Sequence, residues 1–460
     1  MRQHFVSAGF LRSIPKISKN DGGTSFGPEE PSRLHTGKPV IYALGNLGTN
    51  IFLQSFATFI LFFYVDHLRA SIGLISTVMG LQGIWHAVLN PMVGQVSDQT
   101  RTRFGRRQPY IALASLPLGL AYWLMWRPWV SRSHLPLYFA ISVTAFDFFY
   151  IIVVLNWTSL FPEMYRTLSE RSRAQAWRQS VGVVALMMGV SAPPLIYGRY
   201  GWSAMGFGFA VVGTSGFILS LFGTHEAPRL KSSEFAEPTP SVAAAFRQTA
   251  ANGSFLSFLT MNFFIQFMFS LIPAALPFFA KYVMHLRGLD LSILLASIFV
   301  VALITMWPWS RYLVRVGSHR AMLTTILLLA LGVLPFWWLK HLPWAIAAGV
   351  ILGLGLAGFL TLADVLIAEV IDADAKVVGH RREGSFYGVN GFAVRFGVSL
   401  EALVVYLVLH STGYHANALG HATGLVIFGL RSLIAGVPLL ALAIAFLALR
   451  YFRVQESPRQ

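Results

Sequence analysis

The stretch GQVSDQTRTRFGRRQPY (94–110) sets four arginines and one aspartate between two apolar runs, 72–97 and 109–126. Each run is long enough to cross a bilayer core, which takes about 20 residues of helix. A short basic loop between two such runs fixes the side on which it stays, because Lys and Arg are retained in cytoplasmic loops. A weaker copy, WSRYLVRVGSHRAML (309–323), follows a later run in the same way. Taken as equivalents, the two loops divide the chain into two halves of similar plan.

Composition agrees with that reading. Of 460 residues, 55% are hydrophobic and 12% charged, against about 25% charged in an ordinary soluble domain. Twelve apolar segments qualify as spans (40–65, 72–97, 109–126, 135–162, 178–198, 203–223, 254–280, 289–313, 321–339, 343–371, 386–409 and 424–450). The fold class expected is an all-α membrane protein of twelve transmembrane helices in two pseudo-symmetric six-helix halves. Its parts are a disordered cytoplasmic tail (1–38), an N-terminal half (39–223), a cytoplasmic central loop (224–253), a C-terminal half (254–452) and a C-tail (453–460). The tail has no continuous apolar core of the kind a cleaved signal needs. With the N-terminus inside, the cytoplasmic segments hold 26 Lys and Arg and the opposite loops 7, so both termini are expected in the cytoplasm. The net charge of +16 is thereby a matter of topology, and nucleic acid is not expected as a partner. No cysteine is present, which excludes disulfides and thiolate metal sites. No nucleotide loop, nucleophile elbow or metal cluster is legible, so neither an enzyme nor a cofactor is expected.

The first span of each half carries a polar stripe at i+4 steps: Asn46, Asn50, Gln54 and Thr58, then Asn262, Gln266 and Ser270. Side chains four apart share a helix face, and amides are too costly to turn toward lipid. Both stripes are expected to face a shared interior, the plan of a secondary transporter with its site near the midplane. Hydrogen bonding between helices is the other use such amides have.

Five motifs carry a resemblance beyond this. The 94–110 loop resembles the loop 2–3 signature of the major facilitator superfamily. YALGNLGTNIFLQSFATFILFFYVD (42–66), IWHAVLNPMVG (84–94), IAEVIDADAKVVGHRREGSFYGVNGFAVRFG (367–397) and GLRSLIAGVPLLALAIAFLALRYF (429–452) resemble the glycoside–pentoside–hexuronide:cation symporters, the melibiose permease family. The resemblance implies alternating access about a central sugar site and symport with sodium, lithium or protons. It also marks departures. The two helix-2 carboxylates that hold the cation in melibiose-type members read His86 and Asn90. The helix-1 sugar-binding aspartate reads Asn50, and the helix-4 one aligns with Val154. Arg178 and Arg395 occupy the family's basic positions.

Asn90 offers a sodium ion one carbonyl oxygen and His86 only nitrogen, a poor ligand for a hard cation. Histidine ordinarily titrates near working pH, so His86 is a candidate proton carrier, with Asn90 beside it and Asp147, Glu401 and Asp364 as carboxylates within apolar spans; the other readings are a neutral His86 hydrogen-bonded to Asn50 or another amide, and a direct contact with the solute. Glu401 shares a face with Asn390, eleven residues earlier. Arg395 is expected to be buried and paired with Asp147 or Glu401. The solute is expected to meet Asn50, Gln54, Asn156, Trp157, Arg178, Asn262, Gln266, Asn390 and Arg395, with Trp85, Tyr150 and Phe392 as further aromatic faces.

Gating is expected from Gly94, Asp98, Arg101, Arg106 and Arg107 in the first half. Asp364, Glu369, Asp372, Arg382 and Glu383 are the counterparts in the second, and Glu163 acts with Arg166 between spans 4 and 5. The function expected is a symporter of a sugar-like solute, coupled to protons ahead of sodium. It is expected as a monomer in the bacterial plasma membrane, with the lipid bilayer as its other partner. The alternatives are an uncoupled facilitator, a transporter of a lipid-like amphiphile, and a membrane sensor that transports nothing.

Overall fold

A computed structural model describes residues 37–165, 168–226, 252–286, 288–378, 382–414 and 423–452. Most of the expected tail, most of the central loop and the C-tail lie outside these residues.

Among the described residues, helical rods follow one another along the stretches that the sequence marks as spans. In the first half they are α1 (Lys38–His67), α2 (Ile72–Gln99), α3 (Gln108–Met125), α4 (Leu135–Met164), α5 (Leu168–Ser191) and α6 (Trp202–Leu221). In the second half they are α7 (Gly253–Tyr282), α8 (Gly288–Val316), α9 (Ser318–Val333), α10 (Leu342–Val378), α11 (Glu383–Ser411) and α12 (Gly424–Tyr451). α5 continues after a 40° bend as Pro193–Tyr200; the two prolines at 193 and 194 withdraw amide donors there, which breaks the ladder. Among the described residues, nine helices are long and apolar enough to cross a membrane, and the bent α5 pair makes ten. Of the remaining rods, α2 contributes the shorter apolar stretch Ile72–Gly83 among the described residues.

Two helices depart from α geometry. α1 ends in a π turn, Phe62–His67, and α12 contains another, Ser432–Gly436. The wide turn of α1 closes with Leu68 N–H on Phe63 O and Ala70 N–H on Tyr64 O, both at 2.9 Å.

One buried apolar core runs through both halves. In the first, Phe52 of α1 meets Tyr122, Phe146 and Phe217 from three other helices, with ring centroids 4.6 to 6.4 Å apart. The Tyr122 hydroxyl is not stranded there, because Ser55 of α1 lies 2.6 Å from it. In the second half, α10 packs closely against α8 and α9. A Cβ at Gly353 would sit 2.4 Å from the Ile298 carbonyl oxygen. Only glycine permits that approach. Trp309 of α8 seals the same contact, its indole N–H donating to Leu354 O at 2.9 Å.

The halves meet along three seams, α1 with α7, α2 with α11 and α5 with α8. Phe62 edges onto Phe278 with centroids 5.1 Å apart. Ser399 donates to Gly80 O at 3.2 Å. A Cβ at Gly288 would meet Pro194 O at 2.4 Å. These contacts sit toward the end of the bundle where α1 finishes, the Asp66 end. The opposite end carries the 94–110 loop and is called the arginine end below.

Candidate functional site

Halfway along α2, Gln82 and His86 lie one turn apart and point at the same carboxylate of α4. His86 Nε2 is 3.2 Å from Asp147 Oδ1, and Gln82 Nε2 donates to Asp147 Oδ2 at 2.8 Å. Asp147 is 3% exposed, so these two groups stand in for its lost water. His86 keeps about a quarter of its side-chain surface open. One partner is therefore buried and the other reachable, the arrangement a proton relay needs. His86 is thus in contact with Asp147, one of the carboxylates that the sequence offered as its partner. Asn90 is not part of the pair. Its amide turns back to donate to His86 O at 2.7 Å. Gln82 takes the second place, and the signal for it was its position four residues before His86.

Arg395 of α11 differs from expectation. It is exposed and makes no ion pair among the described residues. Asp147 is already occupied by α2, and Glu401, 2% exposed, lies out of its reach without a polar partner among the described residues. Arg395 instead lies within electrostatic range of Tyr150 on α4, one turn from Asp147. An exposed guanidinium does not need the counter-ion that a buried one would. Tyr150 is held by donating to Thr49 O of α1 at 3.2 Å.

The stripes on α1 and α7 divide between structure and availability. Asn46 donates to Arg178 O, and Asn50 to Asn46 O at 3.2 Å. Asn262 donates to Asn390 Oδ1 at 2.8 Å, tying α7 to α11. Gln54 and Gln266 are partly exposed and make no hydrogen bond among the described residues. They occupy comparable places on the first helix of each half. Asn156 and Trp157 are fully buried. Trp157 stacks on Tyr42 with centroids 4.9 Å apart, and the Arg178 guanidinium sits over the Trp157 and Phe161 rings at 4.8 Å each. Arg178 is held as a cation against aromatic faces rather than by a carboxylate. Trp85 and Phe392 are exposed.

At the arginine end the loop residues close on their own half. Arg107 donates to Asp98 at 2.7 Å and to Glu163 at 3.1 Å, and Arg106 donates to Glu163 at 2.6 Å. Arg101 is exposed, and Gly94 sits where α2 approaches Leu155 of α4. The sequence reading missed Glu226. Its carboxylate accepts the backbone N–H groups of Arg106, Arg107 and Gln108 at 2.7, 2.7 and 3.0 Å. These are the orphan donors of the α3 N-terminus, where an anion is favoured. Glu226→Ala should therefore cost about 1–3 kcal/mol, read as a lower thermal midpoint in detergent, with Glu226→Gln between it and the native chain. A midpoint unchanged in both would mean that water serves the three amides equally well.

The second half repeats this in altered chemistry. Glu369, near the end of α10, accepts from Ser318 at the start of α9 at 2.7 Å, as Glu163 near the end of α4 meets the arginines before α3. Arg382 forks onto Asp374 with contacts of 2.7 to 3.0 Å, and Asn252, the cap of α7, adds a bond to the same carboxylate at 3.1 Å. Asp374, missed from the sequence, is the buried acid here, whereas Asp364 and Asp372 are exposed. The Glu383 side chain and Arg166 lie outside the described residues.

At the Asp66 end, the Asp66 carboxylate is 5% exposed and receives Lys281 Nζ, Tyr282 OH and Tyr414 OH, each at 2.5 Å. Burial, and then the Asp66 charge, hold the Tyr414 hydroxyl well above the ordinary phenol range, so it remains a donor. None of these four residues stood out in the sequence.

The family model described as MFS/sugar transport protein matches residues 41–456. The isoprimeverose transporter of Lactiplantibacillus pentosus is 24% identical over 429 residues, 90% of this chain and 88% of that one. The glucuronide carrier protein homolog of Escherichia coli is 24% identical over 434 residues, 90% and 92% of the two chains. Among solved structures, a bacterial homolog of the human lysosomal transporter Spinster superposes with a TM-score of 0.64 at 14% identity, over 92% of this chain and 98% of that one.

Proposed function

Because the chain belongs to the MFS/sugar transport protein family, and is therefore a membrane transporter and not an enzyme, we propose that it carries a sugar or glycoside-like solute by alternating access, driven by protons ahead of sodium. The observation that carries this is the His86–Asp147 contact at midspan, beside Tyr150 and the exposed Arg395. The names of the two relatives, for isoprimeverose and for a glucuronide, support a glycoside or uronide as the solute. The arginine end faces the cytoplasm of a bacterium in this reading, by the bias of Lys and Arg among the loops, and one copy of the chain suffices.

The residues divide the work as follows. Gln54 and Gln266 offer unspent amides to solute hydroxyls from the two halves, and Arg395 offers a cation. His86 receives a proton on its open side and passes the charge to the contact with Asp147. A protonated imidazole meets the carboxylate as an ion pair, and a neutral one meets it only through the hydrogen bond of its Nε2–H. The two states hold α2 and α4 differently, which links the proton to the balance of the halves. Sodium fits poorly, since the pair supplies oxygens from Asp147 only.

Uptake of labelled glycosides, pentosides and uronates into proteoliposomes, with an inward proton gradient, an inward sodium gradient or neither, tests the reading. Accumulation is expected with the proton gradient alone, and His86→Ala should reduce it to equilibration. Accumulation that persists in His86→Ala would remove histidine from the coupling. Equilibration in the native chain under every gradient would make it an uncoupled facilitator.

A further inference from the structure

The ion pairs at the arginine end join residues of the same half, so they can ride through a rocking motion intact. The Asp66 cluster cannot. Asp66 belongs to the first half, while Lys281, Tyr282 and Tyr414 all belong to the second. The rings around it cross the seam as well. Tyr414 edges onto Phe278 at 5.7 Å, and Phe278 meets Phe62 at 5.1 Å.

We propose that Asp66 and its three donors form the closure of this end of the transport path, which must part each time the site opens toward it. The proposal rests on the alternating-access reading and adds to it residues of the cycle that lie away from the midspan site.

The chemistry suits a contact that is strong and yet breakable. Hydrogen bonds to a charged acceptor are about twice as strong as neutral ones, and a carboxylate 5% exposed has few waters to replace them. Two of the donors are neutral hydroxyls, so releasing them strands no charge. The third, Lys281, has half its side chain exposed already. On opening, only Asp66 has to gain a hydration shell, and the water that enters past Lys281 supplies it. Inward of this closure on the α1 stripe, Thr58 is fully buried, while Gln54, one step further on, is partly exposed. The boundary of solvent access on that face of α1 therefore falls between these two residues.

The chain has no cysteine, so single cysteines at Thr58 and at Gln54 report access without background. A membrane-impermeant maleimide is applied to sealed vesicles, from the Asp66 side for Thr58→Cys and from the arginine side for Gln54→Cys. Asp66→Asn should raise labelling at Thr58→Cys about tenfold, the effect of a 1.4 kcal/mol shift between two states. The same substitution should slow labelling at Gln54→Cys. Tyr414→Phe, which removes one hydroxyl and leaves the fold alone, should move both rates in the same directions by a smaller factor, and it carries the test if Asp66→Asn does not fold. Unchanged labelling at Thr58→Cys in both backgrounds would overturn the proposal, and so would faster labelling at both positions, which means general loosening. No solute or gradient enters this measurement, so it stands or falls apart from the sugar and proton assignments.

Discussion

Asp147→Asn should lower gradient-driven accumulation at least about tenfold while leaving the chain folded, the effect of losing about 1.4 kcal/mol of coupling between proton and solute. Asparagine matches aspartate in size and keeps one oxygen for the Gln82 amide at Oδ2. It loses the charge that makes the His86 contact respond to a proton. Exchange of labelled for unlabelled solute, which needs no net proton movement, should survive far better than accumulation. That split separates a coupling carboxylate from one that only holds α2 against α4, because a structural loss would reduce both rates together. Accumulation at the native level in Asp147→Asn would sink the role given to the pair and leave Glu401 as the midspan carboxylate to test.

The second large effect is on stability. Asp374→Ala should lower the unfolding free energy by about 3–5 kcal/mol, the usual cost of leaving one partner of a buried pair alone. Asp374 is 6% exposed and accepts both the Arg382 fork and the Asn252 amide. Its loss frees the ends of α10, α11 and α7 at once. The thermal midpoint in detergent reads the effect, and Arg382→Lys should fall between, since an ammonium lacks the planar fork. A midpoint within a degree of the native one would show that solvent already serves this corner.

The architecture was legible because long apolar runs and arginine-rich loops are local signals, and each helix of the structure lies where its run lies. Part of the site was legible for a similar reason. His86, Asp147, Asn262 and Asn390 are polar groups within apolar spans, and such groups need partners whatever the fold. What could not be read was pairing over distance. His86 and Asn90 share a helix face, yet the amide of Asn90 finds a nearer acceptor in the His86 carbonyl. Arg395 was given a carboxylate on the assumption of burial, and an exposed guanidinium needs none. Asp66, Tyr282 and Tyr414 sit at helix ends and in a loop, where polar residues are ordinary, so only the fold shows that Tyr282 and Tyr414 reach Asp66 from 216 and 348 positions away. Glu226 was hidden for the opposite reason. Its partners are backbone amides, which leave no trace in side-chain patterns.

The wide turn at the end of α1 has a bearing on where Asp66 points. A step of four residues along an α-helix overshoots one revolution by about 40°. A stripe such as Asn46, Asn50, Gln54 and Thr58 therefore creeps around the cylinder, and two more steps at the same pitch would carry position 66 a further 80° or so. Over Phe62–His67 the i→i+5 bonds put more residues into each revolution, so each one advances by less. The creep is partly wound back, like a vernier returned toward its mark, and the carboxylate arrives facing the second half. Were the same residues to run on in ordinary α geometry, Asp66 would lie the full 80° or so around the cylinder from Thr58, and the end of α1 would lose its aim without losing a single side chain of the cluster.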